Sequence, residues 1–360
     1  MDLEKIASLL ENLNPVNVHE ILCSRNITPK SSCHKCTDIC PIKGISLKNN
    51  KPKIDNCISC GLCVSVCPNH VFKQDEDLLL QVDPQKTQSL IITCPYCHNL
   101  AGEKYKQHFT VIKCLNQLYP ELLLKLSSRF AKVLVFYNTD RCKDCFPTPV
   151  FQPDITLGYE NILEQDSFNL QFTQEFKEVL PHFKTESPAH DRRLFFKSIF
   201  SGSQKASKNI INSTLSQLNI DVADQEKVKP LKRKYLSEAL SKITVNTPIK
   251  LPLKNLQIKK CNFCGVCSKL CPTKALKVIE EVNKKQIVFQ PHLCTHCDIC
   301  HDACFFKGLE FSGNLSVDDF RSSQQYIIAS GERRSCKECE QDYYDSTGQL
   351  ETCFLCSSLK

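Results

Sequence analysis

Short apolar runs separated by polar stretches set the first elements of this chain. SLIIT (89–93), TVIK (110–113) and VLVFY (133–137) are rich in β-branched residues and read as buried strands. Between the last two, PELLLKLSSRF (120–130) opens with Pro120 and carries an apolar stripe at helical spacing, which predicts a helix. Strands alternating with helices predict a small parallel sheet. GISLKNNKPKID and ALKVIEEVNKKQIVF alternate in short segments around polar centres and predict hairpins. SFNLQFTQEF and RRLFFKSIF predict packed helices, with TESPAHD and SGSQKASKN as loops. MDLEKIASLLENLNP predicts a short amphipathic helix and lacks the basic start and apolar core of a leader peptide. No stretch approaches the length of a membrane-spanning helix.

The cysteines change this picture. The chain holds 25 cysteines in 360 residues. Residues 57–68 read CISCGLCVSVCP and residues 261–272 read CNFCGVCSKLCP, each a C-x2-C-x2-C-x3-C-P run. Three thiolates at that spacing wrap one face of an iron–sulfur cube, and the fourth is carried away to the other cluster of a pair. Each run has a partner at hairpin distance. CTHCDICHDACF supplies Cys294, Cys297, Cys300 and Cys304, with Phe305 where Pro is usual. CHKCTDICP supplies Cys33, Cys36 and Cys40, but Lys30 occupies the first cysteine's place. A charged lysine cannot ligate iron. Either Cys23 swings in from the preceding loop, the favoured reading, or the cluster is a three-iron type.

On these motifs the chain resembles bacterial-type dicluster ferredoxins twice over, at residues about 20–75 and about 256–312. The resemblance implies a (βαβ)2-like fold in which the fourth cysteine of each run crosses over. It further implies four [4Fe–4S] ligand sets: Cys23, Cys33, Cys36 with Cys67; Cys57, Cys60, Cys63 with Cys40; Cys261, Cys264, Cys267 with Cys304; and Cys294, Cys297, Cys300 with Cys271.

Nine cysteines remain. Cys336, Cys339, Cys353 and Cys356 form two CxxC knuckles around a short hairpin, the arrangement of a structural zinc ribbon; a rubredoxin-like iron would use the same ligands. Cys94, Cys97, Cys114, Cys142 and Cys145 each fall at or just beyond the carboxyl end of an expected strand, where open α/β sheets collect ligands. Residues about 88–147 resemble the delta-subunit family of methyl-viologen-reducing hydrogenases, on CPYC, KC and RCKDC in a β–α–β setting, and the resemblance implies a [2Fe–2S] cluster. Zinc, or a redox dithiol at Cys94 and Cys97, are the alternatives. Histidines near cysteines (His34, His70, His98, His292, His296 and His301) are expected to tune or stand by rather than ligate.

The expected fold class is α+β. It comprises a dicluster ferredoxin module (1–80), a small α/β parallel-sheet module (86–150), a helical, basic connector (151–255), a second dicluster module (256–314) and a zinc-ribbon tail (330–360). Small modules lean on metal ligation for stability, and thiolate ligands imply a reducing, cytoplasmic location. The formal charge of +7 becomes about −3 once four clusters and one zinc, at about −2 each, are counted. Residues 227–260 hold ten of the Lys and Arg residues and only Glu238 as an acid. A solvated, partly flexible connector is the favoured reading of that strip, a docking strip for an acidic redox partner the second; nucleic acid is disfavoured for want of interleaved aromatics. Asp191-Arg192-Arg193 reads as a helix start with solvated arginines.

The sequence has no phosphate-binding glycine loop, flavin signature or Ser–His–Asp set. The expected function is therefore one-electron transfer between redox partner proteins, without a substrate site of its own. Alternatives are an electron-transfer subunit of a hydrogenase-, formate dehydrogenase- or heterodisulfide reductase-type complex, and a redox-sensing zinc-ribbon regulator.

Overall fold

The computed structural model describes residues 16–145, 147–156, 158–183, 231–243, 249–346 and 350–358. The chain divides into two units, residues 1–182 with 229–360, and residues 183–228. The first unit carries every cysteine. The expected N-terminal helix, RRLFFKSIF with its flanking loops, and the Asp191-Arg192-Arg193 triplet lie outside the described residues.

The architecture is mixed α/β with several small sheets. GISLKNNKPKID forms the expected hairpin: Ile45–Lys48 pairs antiparallel with Lys51–Ile54. Its turn residues Asn49 and Asn50 both take positive φ, 53° and 63°, as a two-residue hairpin turn matching strand twist demands. A short outer pair, Asn17–Val18 against Phe72–Lys73, closes this region. The second cysteine-rich region repeats the plan. Leu276–Glu280 pairs with Lys284–Phe289, and a longer outer pair joins Lys250–Ile258 to Leu309–Ser316.

Ser89–Thr93 sits between Thr110–Val111 and Lys132–Phe136 in a parallel sheet. Leu90, Ile91, Ile92 and Val133 through Phe136 are buried, which is why these strands read as continuous apolar runs rather than alternations. The expected helix forms at Pro120–Ser127 and buries Leu122, Leu123, Leu124 and Leu126.

Two expectations require correction. Leu170–Thr173, from the stretch expected to be helical, is instead a fourth parallel strand beside Lys132–Phe136. Its Phe172 lies 6.2 Å from Phe151 in a tilted ring contact, so packing overrides the helical pattern; the helix begins only at Phe176. The strands of the tail also pair beyond it. Tyr326–Ser335 pairs with both Lys284–Phe289 and Asp342–Asp345, so the tail continues the second hairpin as one four-stranded sheet. Finally, the basic strip is not solvated throughout. Leu231–Leu240 is a helix that buries Lys232, Arg233, Tyr235, Leu236, Ala239 and Leu240. Its apolar side joins Leu124, Phe168, Leu253 and Phe320 in one core, tying the parallel sheet to the second cysteine-rich region.

Candidate functional site

Three of the four cysteine runs share a backbone device. The second residue after the leading cysteine takes positive φ (Ser59, Phe263 and His296, at 58°, 57° and 55°). The residue after the second cysteine does too, as Gly61, Gly265 and Asp298, at 74°, 73° and 62°. Left-handed residues curl the loop so that its amides point inward. Ser59 N donates to Cys57 Sγ at 3.3 Å and Phe263 N to Cys261 Sγ at 3.2 Å. Short helices, Leu62–Val66 and Val266–Leu270, then carry the fourth cysteine away.

The run with Lys30 lacks this curl: His34 has φ −128°. Its missing sulfur comes from elsewhere. Cys23 caps a one-turn helix at Glu20–Leu22 and is buried. Burial, then the sulfurs of Cys67, Cys33 and Cys23, push the Cys36 thiol up to about 12. All four fourth-cysteine turns are alike. Lys43, His70, Lys274 and Lys307 take positive φ, and their amides donate to the carbonyls of Cys40, Cys67, Cys271 and Cys304. Phe305 in place of proline leaves that turn intact, because the turn needs its left-handed Lys307 rather than a fixed φ after the cysteine.

The other sulfurs group by crossing over between runs. Burial raises Cys60 and the Cys40 and Cys57 sulfurs add to it. Burial and the sulfurs of Cys261, Cys264 and Cys304 push Cys267 up to about 12. Burial and Cys297 likewise push Cys294 up to about 12, with Cys271 contributing. Buried thiols crowded by other thiols are poor company for one another unless a cation displaces their protons. That donor chemistry fits an iron–sulfur core. Cys63 also feels Cys36, and Cys300 feels Cys267, so within each region the two sets adjoin.

The two regions meet directly. Thr295 Oγ1 donates to Asn69 Oδ1 at 2.7 Å in a buried contact, and Asn69 Nδ2 donates to the Leu22 carbonyl at 3.0 Å. Ser32 N and Oγ both donate to Asp302 Oδ2, at 2.7 and 2.8 Å. Lys232 Nζ donates to the Ser65 carbonyl at 2.7 Å, and Arg233 Nε to the Cys294 carbonyl at 2.7 Å.

At the carboxyl edge of the parallel sheet, Cys94, Cys114, Cys142 and Cys145 line a cavity of about 200 Å³. Cys60 lines it as well. Cys97 does not line it and is wholly buried; its thiol hydrogen-bonds Cys94 and holds Cys94 down at about 6. Burial and then the backbone and neighbouring sulfurs leave Cys114 at about 12, with Cys60 among the sulfurs that raise it.

The Cys336, Cys339, Cys353 and Cys356 sulfurs all lie within 4.8 Å of one another, with Cys339 and Cys353 at 3.7 Å. A tetrahedral ion with 2.3 Å metal–sulfur bonds needs edges of about 3.8 Å. The Cys353 amide donates to Cys336 Sγ at 3.2 Å and, ahead of other causes, draws that thiol down to about 6. The geometry suits one ion rather than a cube.

Of the histidines, His98 Nε2 meets the Lys106 carbonyl at 3.1 Å and His296 Nε2 the Lys254 backbone. His70 Nε2 stands 3.0 Å from Glu76 Oε2. What sequence reasoning missed is Lys232 and Arg233; a charge run beside an apolar helical stripe was the only available sign.

Residues 260–307 match the family described as 4Fe-4S dicluster domain, and residues 54–73 match the family described as 4Fe-4S binding domain. No curated protein matches the chain, and no solved structure does. Two ferredoxin-type 4Fe-4S domains make this an iron–sulfur electron-transfer protein. No helix among the described residues is long and apolar enough to cross a membrane.

Proposed function

We propose that the chain is a one-electron wire built on four [4Fe–4S] clusters in series, with a [2Fe–2S] site at one end and a structural zinc at the other. The observation that carries this reading is the succession of neighbouring sulfurs. Cys114 adjoins Cys60, Cys63 adjoins Cys36, Asn69 meets Thr295, and Cys300 adjoins Cys267. In that order the holders are Cys94, Cys114, Cys142 and Cys145; then Cys40, Cys57, Cys60 and Cys63; then Cys23, Cys33, Cys36 and Cys67; then Cys271, Cys294, Cys297 and Cys300; and last Cys261, Cys264, Cys267 and Cys304. Bound clusters supply single-electron acceptance and release with little rearrangement.

The protein's part is to hold sulfurs rigidly, donate amides to them and exclude water. Cys336, Cys339, Cys353 and Cys356 hold zinc and pin the far end of the second hairpin's sheet. Accordingly the modules run 16–81 and 89–182 for the N-terminal dicluster and parallel-sheet parts, and 249–358 for the second dicluster with its ribbon; this division is part of the proposal.

Controlled-potential reduction tests the wire. Four electrons per chain enter the cubanes, with one more for the two-iron site; uptake of two or fewer refutes it.

A second reading, a subunit of a larger oxidoreductase exchanging electrons at the parallel-sheet site, draws support from one feature. Ile58 and Tyr96, both exposed, flank the sulfur cavity and offer an apolar landing for a redox partner. Co-purification with a flavin, molybdenum or nickel protein supports it, and isolation as a lone monomer counts against it.

A further inference from the structure

Lys232 and Arg233 stand at the joint between the two dicluster regions, each only 6% exposed. Consecutive basic residues on a helix usually reach solvent. Here both turn inward, to opposite sides of the joint. Lys232 Nζ bonds the carbonyl of Ser65, in the helix that delivers Cys67, and lies 4.4 Å from the Tyr119 ring centroid. Its charge acts on the Cys67 sulfur. Arg233 Nε bonds the carbonyl of Cys294 itself, and NH2 reaches His296 Nδ1 at 3.3 Å. Its charge acts on the Cys294 sulfur.

Resting on the proposed wire, we infer that this buried cation pair raises the reduction potentials of the two inner clusters above those of the two outer ones. They are the Cys23/Cys33/Cys36/Cys67 and Cys271/Cys294/Cys297/Cys300 sites. Reduction adds negative charge to a cluster, and a fixed buried cation stabilises that more negative state. Guanidinium cannot give up its proton, so at Arg233 the charge is permanent; burial lowers the Lys232 ammonium from its ordinary range, and the charges of Glu121, Cys67 and Glu76 oppose that loss.

Two carboxylates stand near and oppose the pair. Glu121 is 3.5 Å from Arg233 NH1, and Glu76 is engaged by Tyr119 and Tyr235 hydroxyls and by His70. Glu76 meets the Cys67 turn through the His70 side chain, whereas both cations bond carbonyls of the cysteine-bearing segments directly. The middle of the wire is therefore where an electron rests, and the inner pair couples the two regions by charge as well as by contact.

Redox titration with paramagnetic-resonance detection on the loaded full chain tests this. In Lys232→Met and Arg233→Gln, two of the four cubane couples should become harder to reduce by about tenfold, or about 59 mV for a one-electron couple. The other two should stay in place. Lys232→Arg and Arg233→Lys keep the charge and should restore parental potentials.

Unmoved potentials in fully loaded neutral variants overturn the inference, as do conservative variants that shift as far as neutral ones. If Arg233→Gln fails to load, Lys232→Met alone decides, since one inner couple must still fall. Iron near eight per chain in the parent protein would instead sink the wire itself, which keeps the two failures apart.

Discussion

Gly61 and Gly265 occupy the same place in equivalent cysteine loops and share a left-handed φ, 74° and 73°, yet their surroundings differ. A Cβ at Gly61 would lie 2.3 Å from Gln117 Cβ and 2.8 Å from Gln117 Cα; one at Gly265 would meet only Val278 at 3.6 Å. Alanine at either site bears the left-handed penalty, about 1–2 kcal/mol. At Gly61 it also forces the loop off the segment after Cys114, an overpacking cost of about 1–3 kcal/mol. Gly61→Ala should therefore exceed Gly265→Ala by about 2 kcal/mol, or about 30-fold in local opening. Hydrogen exchange read by mass spectrometry on the loaded protein measures this. Amides in 61–66 and 115–118 should exchange about 30-fold faster relative to parent than the gain seen at 265–270 in Gly265→Ala. Equal acceleration in the two variants would show that the Gly61 loop and Gln117 do not press together, and the passage from the sheet-edge sulfurs to Cys60 would lose its structural basis.

Cys23→Ala should convert one cubane to a three-iron species with a low-temperature paramagnetic signal in the oxidised protein; an unchanged spectrum shows Cys23 idle. X-ray absorption at the zinc edge should return four sulfurs at about 2.3 Å, and Cys353→Ser should lower that count to three; a site of nitrogen or oxygen ligands contradicts the ribbon. Glu76 carries a pH dependence. Burial alone would raise its carboxyl, but His70, by hydrogen bond and charge, with Tyr235 and Tyr119, holds it at about 2. A depressed carboxyl stabilises the fold above its ordinary range near 4.5 and loses that contribution as pH falls toward 2. Glu76→Gln should thus cost about 3 kcal/mol at pH 7, read as faster exchange in 76–81, with the gap to parent narrowing below about pH 4.5. A gap that widens on acidification refutes the assignment.

Much of the architecture was legible because local chemistry and tertiary structure agree. Hairpin alternation at 45–54 and 276–289 and the apolar runs at 89–93 and 133–137 need no distant partner to be recognised. The cysteine spacing carries its own geometry. What escaped reading depends on residues far apart in sequence. Leu170–Thr173 becomes a strand because an open sheet edge awaits it at Lys132–Phe136. Tyr326–Ser335 merges the tail into the second region for the same reason. Lys232 and Arg233 turn inward because carbonyls at Ser65 and Cys294 receive them, partners that the charge run beside the apolar stripe does not name. Cys23 was legible only as the sulfur nearest a vacancy at Lys30; its burial beside Cys36 comes from the turn at Glu20–Leu22.

Anaerobic analysis of iron, acid-labile sulfide and zinc per chain tests the central claim most directly. Four cubanes, a two-iron site and a ribbon predict about 16 to 18 iron atoms with matching sulfide and about one zinc. Iron near eight per chain after full reconstitution would leave a single dicluster pair loaded and contradict the account.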